Sequence, residues 1–483
     1  MLMPVKYVLI ILFSVLPATC LFSQVQLTDL LGASRENKSV SPADENKTFT
    51  VRKIYISGNR KTKEPVILRE IPFKEGDEYL LSELVKKFED ARRQLMNTLL
   101  FHEVVVALKS FEEYDVDIIV EVKERWYLFP IPYFKVVDRN LNEWLVEHNA
   151  RLDRINYGIK VLYNNATGNN DKLNIYLMNG YTKQVSFNYD RMYIDKRMNW
   201  GLNVGMSMGK NREVNYITLN NKQLFFKDTN NFVRSFYKAN AELTYRRAIK
   251  TRHRIGISFV QEQVTDTIVA LNYSYFKNGR DRIVYPEIYY NVGYADVDYI
   301  PYPLIGYMAE FSFSKKGFNK DVNLWQISAK VNGSWKIYNK TYFSTKISGV
   351  IKFPFRQPYI NQRLLGHSDF FMQGYEYYVV DGVAGGYVKT TITRELLNFF
   401  IHAKRKKDAD YLKVPFRIYA KAFTNAGYVY HPMPGENSLN NKMLYSCGVG
   451  LDIITHYDFT IKLEWSFNQL GQNGLYLHRR SFY

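Results

Sequence analysis

Long runs of alternating apolar and polar residues dominate the chain. In residues 200–209, 237–246, 325–337 and 459–468, one face of each run is apolar, while the other carries small, polar and charged residues. A period of two predicts β-strands, and about nine to eleven residues are enough for a tilted strand to cross a bilayer. Charged residues on the second face suit a water-lined lumen. The pattern therefore favours a transmembrane antiparallel β-barrel over a soluble sandwich.

The predicted barrel occupies residues 125–483. At roughly 22 residues for each strand and its connection, the residues after Leu128 accommodate about 16 strands. An even number places both ends of the sheet on the same side of the membrane. Pro130 and Pro132 argue against a central strand at the point where the barrel begins.

Residues 49–124 follow a different pattern, in which two helical segments separate one alternating strand from two later strands. The first strand ends at Ser57-Gly58-Asn59, a turn signal. Thr62 and Ser82 are placed to cap a short and a longer helix, because their hydroxyl oxygens can accept hydrogen bonds from the first helical amides. The order β-α-α-β-β predicts a small sheet covered by two helices on one face.

The N-terminus has the pattern of a targeting segment. Residues 1–23 indicate a secretory signal peptide, with Lys6 ahead of an apolar core. A lipoprotein signal ending at Cys20 is the alternative, although Thr19 is bulky for the position before the cysteine. Residues 24–48 are polar and lack an apolar period, which predicts a flexible linker.

Composition narrows the class further. The chain is 16% aromatic, yet its mean hydropathy of -0.31 is too polar for a bundle of membrane helices. The net charge of +18 comes from Lys and Arg spread through the alternating segments, so lipid headgroups and a polar lumen are expected partners rather than nucleic acid. The basic run Lys404–Lys407 is either a solvated turn or a contact with acidic headgroups or a partner subunit.

Candidate catalytic chemistry is sparse. Removal of the signal would leave Cys447 as the single thiol, so neither an intrachain disulfide nor a cysteine-based metal site is expected. The 8 histidines form no pair with metal-ligand spacing. His367, Ser368 and Asp369 are neighbours in a polar loop, which does not make a catalytic triad. We therefore predict that the protein is not an enzyme and holds no metal or cofactor.

One set of residues extends over the whole N-terminal segment: Ile54, Ile56, Gly58-Asn59, Thr62, Gly76-Asp77, Leu95, Leu100-Phe101, Val104 and Val120-Glu121-Val122. This set resembles the pattern of a POTRA domain, the polypeptide-transport-associated module that precedes certain outer-membrane barrels. Such a domain offers an exposed strand edge to which an extended client segment can add through main-chain hydrogen bonds. The resemblance makes Ile54, Ile56, Val104 and Val106 the candidate client-binding residues.

Three further features lie in the predicted barrel. They are Met372-Gln373-Gly374-Tyr375 in an aromatic-rich stretch, Asn425 and Gly427 in an alternating strand, and Gly474, Tyr476, Phe482 and Tyr483 at the end of the chain. They resemble, in that order, the Arg-Gly-aromatic loop motif, the Asp-Ala-Gly lumen strand and the C-terminal strand signal of the BamA/TamA family. The resemblance implies that the sixth extracellular loop folds back into the lumen.

The chain departs from the family at two positions. The loop arginine of the family is Gln373 here, and the strand aspartate is Asn425. A glutamine can still hydrogen-bond but loses the charge-assisted part of the interaction, about 1 kcal/mol or more. Either an amide lock has replaced an ionic lock, or the protein has moved away from inserting other proteins.

The resemblance implies an outer-membrane assembly factor or translocase of a Gram-negative cell, with its POTRA domain in the periplasm. It would receive unfolded clients at that domain and insert or pass them through a barrel whose first and last strands, 126–136 and 474–483, form a lateral seam. Outer-membrane or secreted polypeptides and outer-membrane lipids are the implied partners, with periplasmic chaperones and accessory lipoproteins as further candidates. The alternatives are a secretion pore for a dedicated partner, a non-catalytic accessory barrel and a barrel enzyme. A barrel enzyme would need a Ser/His/acid set that the alternation does not show.

Overall fold

The computed structural model describes residues 47–136, 155–367, 370–403 and 412–480. Several predictions fall outside these residues, namely the signal peptide, nearly all of the linker, Ser368 and Asp369, the basic run Lys404–Lys407, and Phe482 and Tyr483 of the C-terminal signal.

The N-terminal domain is a four-stranded sheet with two helices. Its elements are β1 (Thr48–Ser57), α1 (Glu64–Glu70), β2 (Glu78–Leu80), α2 (Leu81–Asn97), β3 (Phe101–Glu112) and β4 (Asp115–Glu124). The strand order is β2-β1-β4-β3; β1 and β4 are parallel, and β3 and β4 are antiparallel. Val51, Ile67, Ala91, Leu95 and Ile118 are fully buried between sheet and helices. The β-α-α-β-β order is confirmed, with the short β2 as an addition.

Both predicted helix caps in this domain are wrong. Helix α1 has Lys63 at its N-cap, without a side-chain cap. The Thr62 hydroxyl instead lies 3.0 Å from the hydroxyl of Tyr127, outside the domain's own helices. Helix α2 begins before Ser82, and the Glu83 carboxylate accepts a hydrogen bond from the Leu80 amide at 3.2 Å. Thr62 thus bonds a residue outside the domain's helices instead of capping α1. At α2, the Glu83 carboxylate, rather than the Ser82 hydroxyl, bonds the backbone at the helix start.

Most of the described residues after Glu124 belong to a single antiparallel sheet of 16 strands, as predicted. In chain order these strands are β5 (Leu128–Val136), β6 (Ile155–Asn164), β7 (Lys172–Gly180), β8 (Thr182–Tyr193), β9 (Trp200–Asn211), β12 (Arg234–Tyr245), β13 (Thr251–Val264), β14 (Arg282–Val297), β15 (Gly306–Lys316), β16 (Leu324–Tyr338), β17 (Thr341–Phe353), β18 (Ala384–Ala403), β19 (Leu412–Tyr430), β20 (Met443–Ile454), β21 (Thr460–Asn468) and β22 (Asn473–Arg480). A separate hairpin, β10 (Glu213–Leu219) and β11 (Lys222–Lys227), follows β9. Short helices α3 (Asp266–Leu271) and α4 (Tyr359–Gln362) lie in connections.

The two faces of this sheet differ as the alternation predicts. Ile255 and Ile257 on β13 are exposed, whereas Ser258 and, on the neighbouring strand, Glu242 are buried on the inner face. Trp335 on the outer face donates a hydrogen bond to the Tyr307 hydroxyl at 2.8 Å, as in the aromatic belt of a membrane barrel. In the described part of the chain no helix has the length and apolar character needed to cross a membrane.

The two ends of the barrel are distinguished by the N-terminal domain. This domain contacts the connections after β6, β12, β14 and β20, so we call their end of the barrel the proximal end and the other the distal end. Strands β18 and β19 continue past their neighbours at the proximal end. Pairing of β18 with β17 stops at Arg394 and that of β19 with β20 stops at Arg417, but β18 and β19 pair with each other as far as Ala403 and Leu412. Leu396 is an extra, bulged residue at the start of this extension.

Candidate functional site

The first candidate site is the seam between the two terminal strands of the barrel. Strand β5 pairs with β6, and β22 pairs with β21, but no ladder joins β5 to β22 among the described residues. Pro130 and Pro132 lie within β5. Proline has no N–H, and sheets accept it where its nitrogen faces a free edge. The β5 side of the seam therefore lacks main-chain donors at two positions, which weakens any closure against β22.

The second candidate site is the loop from 354 to 383, which joins β17 to β18 and packs against the inner wall formed by β20 and β21. Met372 and Tyr375 are buried in this packing. Gly374 has a φ of +87°, and its carbonyl accepts a hydrogen bond from Asn468 at 2.7 Å. A Cβ at this glycine would lie 3.0 Å from the Cβ of Ser446. The glycine is thus required both by its backbone conformation and by the close approach of the wall.

The side chain of Gln373 is directed toward the buried carboxylate of Glu464. Its Nε2 lies 3.5 Å from Oε1 of Glu464, a long contact to a side chain that is 1% exposed. The cation that pairs with Glu464 comes from the barrel wall instead, because Nζ of Lys421 lies 2.5 Å from Glu464 and 2.5 Å from Asp452. His478 of β22 lies 3.3 Å from the same glutamate. The cation beside Glu464 therefore belongs to β19 and not to the loop.

The two predicted motifs meet through a different pair of residues. Gly427 faces the loop, where a Cβ would lie 3.1 Å from the sulfur of Met372. Asn425 is buried and donates a hydrogen bond to the Ser446 hydroxyl at 3.0 Å. The small size of Gly427 thus makes room for the methionine that precedes Gln373. The roles given to Asn425 and Gln373 in a loop lock stay predictions.

Lys421, Asp452 and Glu464 were missed by the sequence reasoning. Each occupies a polar position in an alternating strand, as many inward-facing residues do. What singles them out is the register of three strands, in which Lys421 is opposite Gly450 and Gly450 is opposite Glu464. The glycine between them leaves the space in which the lysine reaches the glutamate.

The candidate client-binding residues of the N-terminal domain mostly face its core. Val104 is buried, and Ile54, Ile56 and Val106 are partly buried and pack on that core. Strand β3 is the longer of the two edge strands, the other being β2, and its exposed apolar residues are Val105, Leu108 and Phe111, the last 63% exposed. A client strand added to this edge would meet main-chain groups and these outer side chains first. Client binding itself stays a prediction.

The C-terminal strand signal is described only in part. Gly474 is opposite Ser466, and Tyr476 is opposite Glu464 in the ladder between β21 and β22. The Tyr476 ring lies 5.6 Å from the ring of Tyr377 in the loop, measured between centroids. The last described strand therefore also contacts the folded-back loop.

Buried ion pairs fasten the N-terminal domain to the proximal end of the barrel. Glu70 of α1 forms a two-pronged pair with Arg246, at 2.5 and 2.8 Å, in the turn after β12. Arg125 pairs with Asp458 at 2.7 Å, and both side chains are nearly inaccessible to solvent. Separation of such a pair would leave an unpaired buried charge, which costs free energy. The two ion pairs therefore hold the domain in one position against the barrel.

A histidine pair lies beside the second ion pair. The rings of His102 on β3 and His456 in the turn after β20 stack with their centroids 4.9 Å apart. Burial and the nearby Arg125 charge lower the pKa of His102 to about 4, and the same two causes lower the pKa of His456. Both imidazoles are therefore neutral at pH 7 when the domain is docked.

Comparison with known proteins agrees with this division of the chain. Residues 49–125 match the family model described as "POTRA: Surface antigen variable number repeat". The outer membrane protein assembly factor BamA of Neorickettsia risticii (strain Illinois) is 39% identical over 79 residues, which are 16% of this chain and 10% of that protein. The chain thus matches only about a tenth of the length of this curated relative.

Solved structures resemble most of the chain. CdiB from Escherichia coli has a TM-score of 0.51 at 9% identity, over 89% of this chain and 74% of CdiB. BamA from Haemophilus ducreyi lacking POTRA domains 1–3 has a TM-score of 0.48 at 15% identity, over 89% and 83% of the two chains. At this identity the likeness to CdiB shows the fold alone. A POTRA domain followed by a 16-stranded barrel defines the class of protein. Within that class, the chain is similar to BamA of Neorickettsia risticii over the 79 residues that align.

Proposed function

We propose that the protein is an outer-membrane assembly factor or translocase, with the POTRA domain in the periplasm and the barrel in the outer membrane. The single observation that supports this most directly is the unpaired seam between β5 and β22 among the described residues. An unpaired edge is a template for another strand, because its N–H and C=O groups are available for main-chain pairing.

On this proposal the proximal end is periplasmic and the distal end extracellular. A client would first meet the exposed edge of β3 and then add a strand at the seam. The missing donors at Pro130 and Pro132 keep the two barrel edges from closing firmly on each other. The resident loop, docked through Gly374 and the Lys421 ion cluster, keeps β20 and β21 in place while the seam opens.

We propose no enzymatic reaction for this protein. The partners on this proposal are unfolded outer-membrane or secreted polypeptides and the outer-membrane lipids. Periplasmic chaperones or accessory lipoproteins could deliver such clients to β3. Membrane targeting would follow from the secretory signal predicted at residues 1–23. In this function, the client strand forms main-chain hydrogen bonds with the POTRA edge and with the seam.

The test is a folding assay in liposomes. The purified protein is reconstituted, an unfolded outer-membrane barrel is added outside, and the rate at which that client folds is compared with the rate in empty liposomes. We expect clear acceleration. No acceleration, together with steady ion conductance, would reject the insertase function and support the secretion-pore alternative.

A lock across the seam provides the matched control. In a Cys447→Ser background, cysteines replace the exposed Phe134 in β5 and Leu475 in β22, which leaves both prolines unchanged, and a bismaleimide reagent links them. We expect the linked protein to lose the acceleration and the same variant without the reagent to keep it. Equal activity of the linked protein would show that the seam does not open during insertion.

A further inference from the structure

The barrel lumen contains a cavity of about 820 Å³ that is strongly cationic. Helix α2 of the POTRA domain contributes to its lining from one end, and Phe371 and Gln373 of the loop contribute from the other. Twelve Lys and Arg residues line the cavity, against four Asp and Glu residues. Three of those carboxylates, Glu70, Asp296 and Asp452, are already paired with cations. The lining therefore has a large excess of positive charge that its own acids do not neutralise.

Three of these cations lie together in the proximal half of the lumen. Lys172 begins β7, Arg191 lies near the end of β8, and Arg252 lies near the start of β13, so all three are at the proximal end of their strands. Strands β9 and β12 separate β8 from β13, but the charge of Arg191 acts on both Lys172 and Arg252 across the lumen. None of the three forms an ion pair with a carboxylate in the described part of the chain. Like charges in one cavity repel each other unless an anion lies between them.

The backbone and neighbouring side chains hold Arg191 in a defined position. It lies in a bulge of β8, where the register shifts between Tyr189 and Met192, and it has a φ of +61°. Its amide donates to Oδ1 of Asn203 at 2.6 Å, and its guanidinium donates to Oδ1 of Asn170 at 2.8 Å. Bulges redirect side chains, and strained conformations of non-glycine residues persist where the surrounding structure imposes them.

A buried asparagine relay connects this arginine to the POTRA domain. The Asn170 amide donates to Oδ1 of Asn165 at 2.8 Å, and Nδ2 of Asn165 donates to the Thr62 hydroxyl at 2.9 Å. Asn170, Asn165 and Thr62 are all buried. The guanidinium of Arg191 is therefore held in place from the docked domain as well as from the barrel wall.

We propose that Lys172, Arg191 and Arg252 form a binding site for a small phosphate-bearing ligand in the lumen. Guanidinium groups bind phosphate through paired N–H donors, and a lysine adds a compact charge. The cavity volume falls in the range of small-molecule sites. The phosphate comes either from a free compound or from a phospholipid headgroup that reaches the lumen through the seam. This site is independent of whether the protein inserts clients.

Inorganic pyrophosphate is the probe for the test. Its binding to the full-length protein in detergent is measured by isothermal titration calorimetry at constant ionic strength. We expect saturable binding that weakens at least tenfold in Arg191→Gln and in Arg252→Gln. Lys238→Gln removes a cation of β12 that does not line the cavity, and its affinity should equal that of the unchanged protein. Equal affinity of all four proteins, or no binding by the unchanged protein, would overturn the proposal.

Two further measurements are needed, one to show that each variant is folded and one to identify the source of the phosphate. The heat-dependent shift in gel mobility confirms that each variant is a folded barrel, and Lys172→Gln repeats the test for any arginine variant that fails to fold. Titrations are then made in nanodiscs of zwitterionic lipid and of phosphatidylglycerol. Weaker pyrophosphate binding in phosphatidylglycerol would support the headgroup as the ligand. Equal affinity in the two lipids would support a free phosphate compound.

Discussion

Lys421 is the residue whose replacement tests the ion cluster most directly. Its Nζ lies 2.5 Å from both Glu464 and Asp452, and all three side chains are 4% exposed or less. Replacement by methionine keeps the length but leaves two buried carboxylates without their shared cation, a loss that costs about 3 to 5 kcal/mol. Other partners remain: Lys462 at 3.8 Å and the Tyr302 hydroxyl at 2.8 Å from Asp452, and His478 at 3.3 Å and the Gln373 amide at 3.5 Å from Glu464. We therefore expect a cost near 3 kcal/mol, about a hundredfold in the unfolding equilibrium.

Urea unfolding in lipid vesicles, followed by tryptophan fluorescence and gel mobility, measures this cost. Lys389→Met is the matched control, because Lys389 faces the Phe371 ring at 4.1 Å rather than a carboxylate and should lose less than about 1 kcal/mol. Gln373→Arg should restore much of the stability of Lys421→Met, since the Gln373 amide already lies 3.5 Å from Glu464. The reasoning is refuted if Lys421→Met costs no more than Lys389→Met.

Three further predictions concern the docked domain and the seam. Glu70→Gln should speed hydrogen exchange in α1 about a hundredfold, because it removes about 3 kcal/mol of buried pairing with Arg246, and adding Arg246→Gln should change little more. Additive effects would contradict a shared pair. Pro130→Ala with Pro132→Ala should slow client folding in the liposome assay, since two new main-chain donors, worth about 1 kcal/mol each, strengthen closure; an unchanged rate would contradict this. The low pKa of His102 means that docking is most stable above pH 6.5 and weakens as the pH falls toward 4. Limited proteolysis between the domains should therefore increase at pH 5, and His102→Asn should reduce that dependence.

The architecture could be predicted from the sequence because each barrel strand has one face toward lipid and one toward water, so apolar and polar residues alternate along it. The alternation in β13 and β16 survives in the structure as outward apolar and inward polar residues. The same argument holds for the POTRA domain, whose order of elements follows from the change of period. Predictions from neighbouring residues alone were wrong where a side chain bonds a residue far away in the sequence. The local pattern predicts a helix cap at Thr62, but its hydroxyl forms hydrogen bonds with Tyr127 and Asn165 instead.

The site depended on information that a single sequence does not contain. Gln373 lies in the loop and its amide approaches Glu464, but the cation that pairs with Glu464 is Lys421, two strands away. Register decides which polar residues of neighbouring strands face each other, and a shift of one residue would reverse every face. The bulge that redirects Arg191 was likewise invisible, since no proline or glycine marks it.

The extension of β18 and β19 has a consequence for solubility. Ile392 is opposite Phe343, which in turn is opposite Trp335 of the aromatic belt, so Leu397, Phe399 and the residues that follow in β18 lie on the proximal side of this belt. Leu397, Phe399, Phe400 and Ile401 are all exposed there. A strand pair with apolar side chains and two open edges invites association with a second copy. In the sequence, Lys404-Arg405-Lys406-Lys407 directly follows Ala403, the last residue of β18, and four like charges repel a neighbouring copy. We therefore expect the basic run to reduce aggregation of the chain before its own insertion.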